Sequence, residues 1–261
     1  MQGLPLHPAP PADPYVPTDD LAHRTVADLV AEDYRRAEVF KKNGIDFCCG
    51  GGRSVEAVCR KKGLDYDVIA QALEDVTREK DASQLTDAKS WDLSFLADYI
   101  VNIHHRYVRE NIPLLSEFTA KVARVHGHAN PEVIEIADRF AKVASEMTQH
   151  MMKEEGILFP YIKRLERTNR SGQSSQTPPF GTVKNPIRMM EHEHDQVGTL
   201  MHEIHALSSD YTPPEHACNT YRVAYFKLNE FEQDLHTHIH LENNILFPRA
   251  VALEGEEPST A

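Results

Sequence analysis

Apolar positions recur at the three- and four-residue spacing of an amphipathic helix over most of this chain, and the residues between them carry helix start and stop signals. The first segment starts at Thr25, whose hydroxyl is placed to cap a helix with Asp28 three residues on. It runs through Val26, Leu29, Val30, Tyr34, Ala37, Val39 and Phe40 to a stop at Gly44. Past a loop at 46–53, Ser54 opens a short helix that ends at Gly63, and Asp65 precedes another over about 66–80. Four longer segments follow. The first covers 92–125 and stops at Gly127, and the second opens at Asn130 and Pro131 and runs to about Arg167. The third opens at Asn185 and Pro186 and ends near Ser208. The fourth opens at a capping box, Thr212-Pro213-Pro214-Glu215, and runs to about Leu253. No stretch keeps the alternation of a half-buried strand, so the predicted fold class is all-α with essentially no sheet.

This pattern divides the chain. Residues 1–22 hold Pro5, Pro8, Pro10, Pro11, Pro14 and Pro17, with neither the basic start nor the apolar stretch of a secretory signal, and read as a disordered leader. Residues 23–80 form a small helical domain, the polar stretch 81–91 a linker, and 92–254 a four-helix bundle. No run approaches the roughly 18 apolar residues of a membrane span. A formal charge of −12 argues against nucleic acid or an anionic membrane as partner, because both require a basic surface. The four cysteines, Cys48, Cys49, Cys59 and Cys218, show no spacing of a disulfide framework, so a reducing cytoplasm is the expected location. Composition adds one oddity: fifteen histidines, which invites a metal or proton-transfer role.

Two of the predicted bundle helices share a motif. His150 and Glu154 are followed by Ile157-Leu158-Phe159-Pro160, and His238 and Glu242 by Ile245-Leu246-Phe247-Pro248, so both read H-x3-E-x2-I-L-F-P. Residues four apart share a helix face, and each pair therefore presents an imidazole and a carboxylate to one point. The spacing H-x3-E is weak alone: His128 and Glu132 match it across a helix start. The repeated tail makes the other two pairs twins. Each proline leaves a carbonyl, that of Gly156 or Asn244, without its helical donor, so a kink is expected beyond each pair. Burying such groups without a cation costs each ion roughly several kcal/mol of hydration, which pairing only partly returns, and metal coordination is the better solution. The third helix offers His194, on the stripe of Met190, Val197 and Met201, whereas His192 points roughly 200° away. The first offers His104 or His105, which periodicity does not separate. His236 and His240 lie opposite His238 and read as solvated. Mixed imidazole and carboxylate ligation suits iron or manganese, and a Glu from each of two helices can bridge two metals. Only Glu191 and His194 match the Glu-x-x-His spacing of ferritins, which disfavours that class.

The remaining motif is Gly44-Ile45-Asp46-Phe47-Cys48-Cys49-Gly50-Gly51, two adjacent thiols suited to redox chemistry or metal transfer if a nearby helix start lowers their pKa. The alternative is inert, buried cysteine. Together with His150-Met151-Met152-Lys153-Glu154-Glu155, Met190-Glu191, Glu193-His194-Asp195 and Leu241-Glu242-Asn243-Asn244, this loop resembles the RIC (repair of iron centres) family, the YtfE/ScdA type, over roughly 25–253. The resemblance implies a small cysteine-bearing domain before a hemerythrin-like four-helix bundle. It implies two non-haem irons, oxo- and carboxylate-bridged, with His105, His150, His194 and His238 as terminal ligands and Glu154 and Glu242 as bridges. It selects His105 over His104 through the spacing to Arg109-Glu110-Asn111-Ile112-Pro113. It further implies cytoplasmic repair of iron–sulfur clusters damaged by nitrosative or oxidative stress, by iron supply or nitric oxide removal. Cys48 and Cys49 would assist, damaged iron–sulfur proteins would be the clients, nitric oxide a further ligand, and a homodimer one possible assembly. Two other readings stay open: an oxygen or nitric oxide carrier or sensor, and nitric oxide reduction at the metal pair. Whether the chain is an enzyme is left undecided.

Overall fold

The computed structural model describes residues 18–33, 35–47, 51–78, 88–172 and 178–255, so Cys48 and Cys49 and most of the leader and linker lie outside the described residues. The chain is helical from α1 (Thr18–His23), within the stretch expected to be a leader, and Leu21 of this helix is buried. The next helices are α2 (Val26–Glu32), α3 (Arg36–Lys42), α4 (Val55–Lys62) and α5 (Tyr66–Arg78). Thr25 caps α2 as its spacing predicts, accepting the Asp28 N–H at 3.0 Å while its hydroxyl donates to the Asp28 carboxylate at 2.7 Å. Ser54 caps α4, and Gly63 closes it at φ +68°, a conformation open to glycine. The segment expected to run unbroken from Thr25 to Gly44 is instead split at Asp33. There the backbone turns extended, and the carboxylate takes the Arg35 backbone N–H at 3.1 Å and its guanidinium at 2.9 Å. A side chain that offers the backbone a local partner competes with the helix in this way.

The bundle begins after a short 3₁₀ turn at 88–90. Its first helix is α6 (Leu93–Ile100), a π turn (Val101–His105) and α7 (Arg106–His126). The second is α8 (Glu132–Lys153), a π turn (Glu154–Leu158) and α9 (Phe159–Arg170). The third is α10 (Lys184–Leu207), unbroken. The fourth is α11 (Asn219–Leu241), a π turn (Glu242–Leu246) and α12 (Phe247–Gly255). Among the described residues there is no strand, only a single bridge between Thr25 and Ser54.

Two starts differ from the local cap signals. Asn185 lies inside α10 with its amide on the Phe180 carbonyl, and the carboxylate of Glu254, distant in sequence but at the same end of the bundle, takes the Val183 N–H at 2.9 Å instead. The fourth helix begins at Asn219 rather than at the Thr212 box, because Pro214 keeps the residue before it out of the helical region. Where a kink is expected, the structure has a π turn one residue before each proline, closed by i to i−5 bonds from Phe159 N–H to the Glu154 carbonyl and from Phe247 N–H to the Glu242 carbonyl.

Buried apolar side chains form two clusters. One joins the N-terminal helices to the bundle through Phe40, Val108, Phe140, Met147, Met201 and Leu235. The other fills the opposite end through Leu96, Ile100, Ile162, Met190, Ile245 and Phe247. On all four bundle helices the changeover between clusters falls at the level of the His/Glu motifs.

Candidate metal centre

All six residues expected to hold metal meet at this level. His150 ends α8 and Glu154 opens the π turn beyond it; His238 and Glu242 repeat that arrangement on the fourth helix. His194 comes from the middle of α10, and His105 closes the π turn of the first helix. None is more than 1% exposed. Their inward atoms form two groups, His105, Glu154, His238 and Glu242, and His150, Glu154, His194 and Glu242, each with its atoms within 4.8 Å of one another. Both carboxylates belong to both groups. His105 Nε2 lies 3.3 Å from Glu154 and 3.8 Å from Glu242; His238 Nε2 lies 2.9 Å from Glu242. His150 Nε2 lies 3.2 Å from Glu154 and His194 Nε2 3.1 Å from Glu242.

The outward ring nitrogens decide what the inward ones can do. His105 Nδ1 contacts Glu155 at 2.8 Å, His150 Nδ1 contacts Glu193 at 3.0 Å, and His194 Nδ1 contacts the Asn243 amide oxygen at 2.8 Å. These oxygens accept, so each ring carries its proton on Nδ1 and turns a lone pair inward at Nε2. The His150 bond, helped by the Lys153 ammonium, outweighs the burial that would raise it and holds the Glu193 carboxyl down at about 2. The inward nitrogens then face one another, His105 to His238 at 3.2 Å and His150 to His194 at 3.0 Å. Two lone pairs at that distance repel unless a cation sits against them.

Without a cation, protons must serve. Burial disfavours charging His105 and His150, but the Glu154 and Glu242 carboxylates outweigh it and raise both imidazoles to about 10. The imidazoles in turn hold both carboxyls below their ordinary range against the desolvation that would raise them. His238, deepest, is lowered by burial. Glu154 Oε1 meets no hydrogen-bond donor among the described residues. A metal displaces these protons and satisfies that oxygen, and an all-nitrogen-and-oxygen set without thiolate fits iron.

The acceptor roles of Glu155, Glu193 and Asn243 carry no motif of their own in the sequence, although Glu193 lies among the acidic and histidine residues that the third helix offers. Each sits one position from an inward residue, about 100° around the helix, where it faces a neighbouring helix. His104 is also buried, held at Nδ1 by Asp234 at 2.9 Å, with its ring nearly parallel to that of His238. His236 and His240 are not solvated as expected. His240 is 1% exposed and burial pushes it down to about 3, because Phe47 of the N-terminal unit packs edge-on against both rings at 5.8 and 6.2 Å. The Asn244 amide links this contact to the π turn of Glu242, lying 2.9 Å from His240 Nδ1 and donating to the Phe47 carbonyl at 3.3 Å. Alongside opens a cleft of about 690 Å³ lined by Lys41, Lys62, His202, Glu232 and His236. Cys59 is buried in the core, and burial raises its thiol. No helix among the described residues is long and apolar enough to cross a membrane.

Four helices around a buried His/Glu cluster define a hemerythrin-type cation-binding bundle, and the Hemerythrin HHE cation binding domain profile matches residues 96–250. A second profile, ScdA_N (Domain of Unknown function, DUF542), matches residues 22–77. The chain is similar along nearly its whole length to the iron-sulfur cluster repair protein YtfE of Dickeya chrysanthemi (39% identical, covering 89% of this chain and 98% of the relative). To YtfE of Yersinia pestis it is 38% identical, covering 91% and 100%. It belongs to the YtfE family of iron–sulfur cluster repair proteins.

Proposed function

We propose that this chain repairs iron–sulfur clusters damaged by nitrosative or oxidative stress, and that the buried cluster keeps two irons. One is held by His105 and His238, the other by His150 and His194, with Glu154 and Glu242 shared as bridges. The observation that carries this reading is the sharing itself: two ligand groups with the same two carboxylates in common. The relatives' name supplies the biological direction, and iron–sulfur proteins are then the clients. A bound iron pair supplies redox and Lewis-acid chemistry, and serves either as iron source or as nitric oxide acceptor. The chain's own part is to fix each ring's tautomer through Glu155, Glu193 and Asn243, to exclude water with an apolar cluster on either side, and to release the protons of His105 and His150 as metal enters.

The domain boundaries expected from sequence suit a division of labour in the cytoplasm: a unit over about 23–80 carrying Cys48 and Cys49 for thiol-based transfer or redox steps, and a bundle over about 92–254 carrying the metals. The segment leading to those cysteines, through Phe47, rests on the helix that bears Glu242, which supports the pairing. The deciding experiment adds iron-loaded protein to a nitrosylated [4Fe–4S] enzyme under reducing conditions. Recovery of the enzyme's activity is expected; no recovery from protein that holds two irons per chain overturns the repair role.

A further inference from the structure

Three of the four inward imidazoles have an acceptor at Nδ1. His238 does not: its Nδ1 is buried with no hydrogen-bond partner among the described residues. His104 Nε2, the Tyr107 hydroxyl and Asp234 Oδ2, all between the first and fourth bundle helices, are in the same condition. These groups are neighbours. Asp234 stands one turn before His238 on the same face of α11. His104 Nδ1 lies 2.9 Å from Asp234 Oδ1, and its ring lies at 12° to that of His238 with centroids 5.8 Å apart. Tyr107 is three residues past His104, and its phenol, raised first by burial, is raised further by the Asp234 charge, to about 12.

Counting donors shows what the seam can hold. The contact to Asp234 places the His104 proton on Nδ1, so its Nε2 accepts; Asp234 Oδ2 also accepts. The Tyr107 hydroxyl donates, and so does His238 Nδ1 once Nε2 is turned inward. Two donors and two acceptors are the complement of a water molecule, and a buried water typically has about three such partners. His104 itself belongs to neither ligand group.

We propose that Asp234 orients His238 through an ordered water in this seam, with His104 and Tyr107 as that water's other partners. It thereby completes on the fourth imidazole what Glu155, Glu193 and Asn243 do directly on the other three. Asp234 is a positioning residue, and the inference rests on the reading of His238 as a metal ligand.

The test uses the full chain in metal-free and iron-loaded forms. A high-resolution crystal structure should show a water within hydrogen-bond distance of both His238 Nδ1 and Asp234 Oδ2. Ring-nitrogen NMR of the metal-free protein should show His238 protonated at Nδ1, and Asp234→Ala should mix its tautomers. The same variant, with unchanged circular dichroism, should release iron to a chelator about tenfold faster, the lower end of what loss of such a partner costs. Gln233→Ala, exposed and one position away, should change neither readout. If Asp234→Ala does not fold, His104→Phe keeps the ring packing and removes two of the hydrogen bonds, and should mix the tautomers likewise. A crystal structure without the water, or a His238 tautomer unmoved in the folded variants, overturns the inference. A wild-type chain that binds no iron but keeps the water and the tautomer effect overturns the ligand reading instead.

Discussion

At the scale of single residues, the repeated H-x3-E-x2-I-L-F-P motif made four of the six clustered side chains visible from sequence, and the stripe of Met190, Val197 and Met201 pointed to His194. The ambiguity between His104 and His105 has a physical origin. A π turn advances fewer degrees per residue than an α-helix, so consecutive positions can both face inward, and both histidines are buried. A rule built on 3.6 residues per turn cannot separate them. If Glu154 and Glu242 are bridges, Glu154→Ala and Glu242→Ala should each lower bound iron from two per chain, measured by elemental analysis. Full retention in both variants would refute the bridging assignment. Glu155→Ala leaves the buried His105 Nδ1 without its acceptor and removes the 2.7 Å partner of Arg109. Metal affinity should fall about 10- to 100-fold in competition with a chelator.

At the scale of elements, helix existence was legible throughout the described bundle, and so was the start of the first bundle helix beside Asp92, but the group that caps a start was legible only where it is local. Thr25 and Ser54 cap from the expected positions; α6 and α10 are capped from distant sequence. Glu166, 73 residues from Leu93, accepts the Leu93 and Ser94 N–H groups at 2.8 and 2.9 Å and the Ser94 hydroxyl at 2.5 Å. No window of local sequence contains that pairing. Burial raises the Glu166 carboxyl, and the Ser94 and Leu93 bonds outweigh it, leaving a net lowering. A carboxyl with its folded pKa below its unfolded value stabilises fully above the unfolded value, and the contribution is lost as pH falls through the folded one. Glu166→Gln should therefore cost about 1 kcal/mol at neutral pH in denaturant unfolding, with the gap to wild type closing below about pH 4.5. A gap that persists in acid would contradict this account.

On the scale of the whole molecule, the N-terminal helices share an apolar cluster with the bundle and cover the face of α11 that bears His236 and His240. The sequence reading left that face in water because a helix pattern shows which residues lie opposite a ligand but not whether a second unit arrives to cover them. Phe47 packs against both rings there and is buried. Phe47→Ala should destabilise the chain by about 3–5 kcal/mol and split calorimetric unfolding into two transitions. A single transition at the wild-type temperature would show that the two units do not depend on this contact.

The three π turns carry one more consequence, for how the chain tolerates length changes. A π turn closes over one more residue than an α turn, so each marks a phase slip of roughly 100° between the apolar stripe before it and the stripe after it. Deleting one residue from 154–158 or 242–246 would remove the π turn and leave a continuous helix broken only at the proline bond, in a sequence still rich in helix formers. Yet α9 or α12 would then swing its core stripe by roughly 100° out of the bundle and bring a flanking, more polar face in. In this protein a single-codon deletion that tidies a helix would thus misalign half of it, while a substitution at the same place leaves the phase intact.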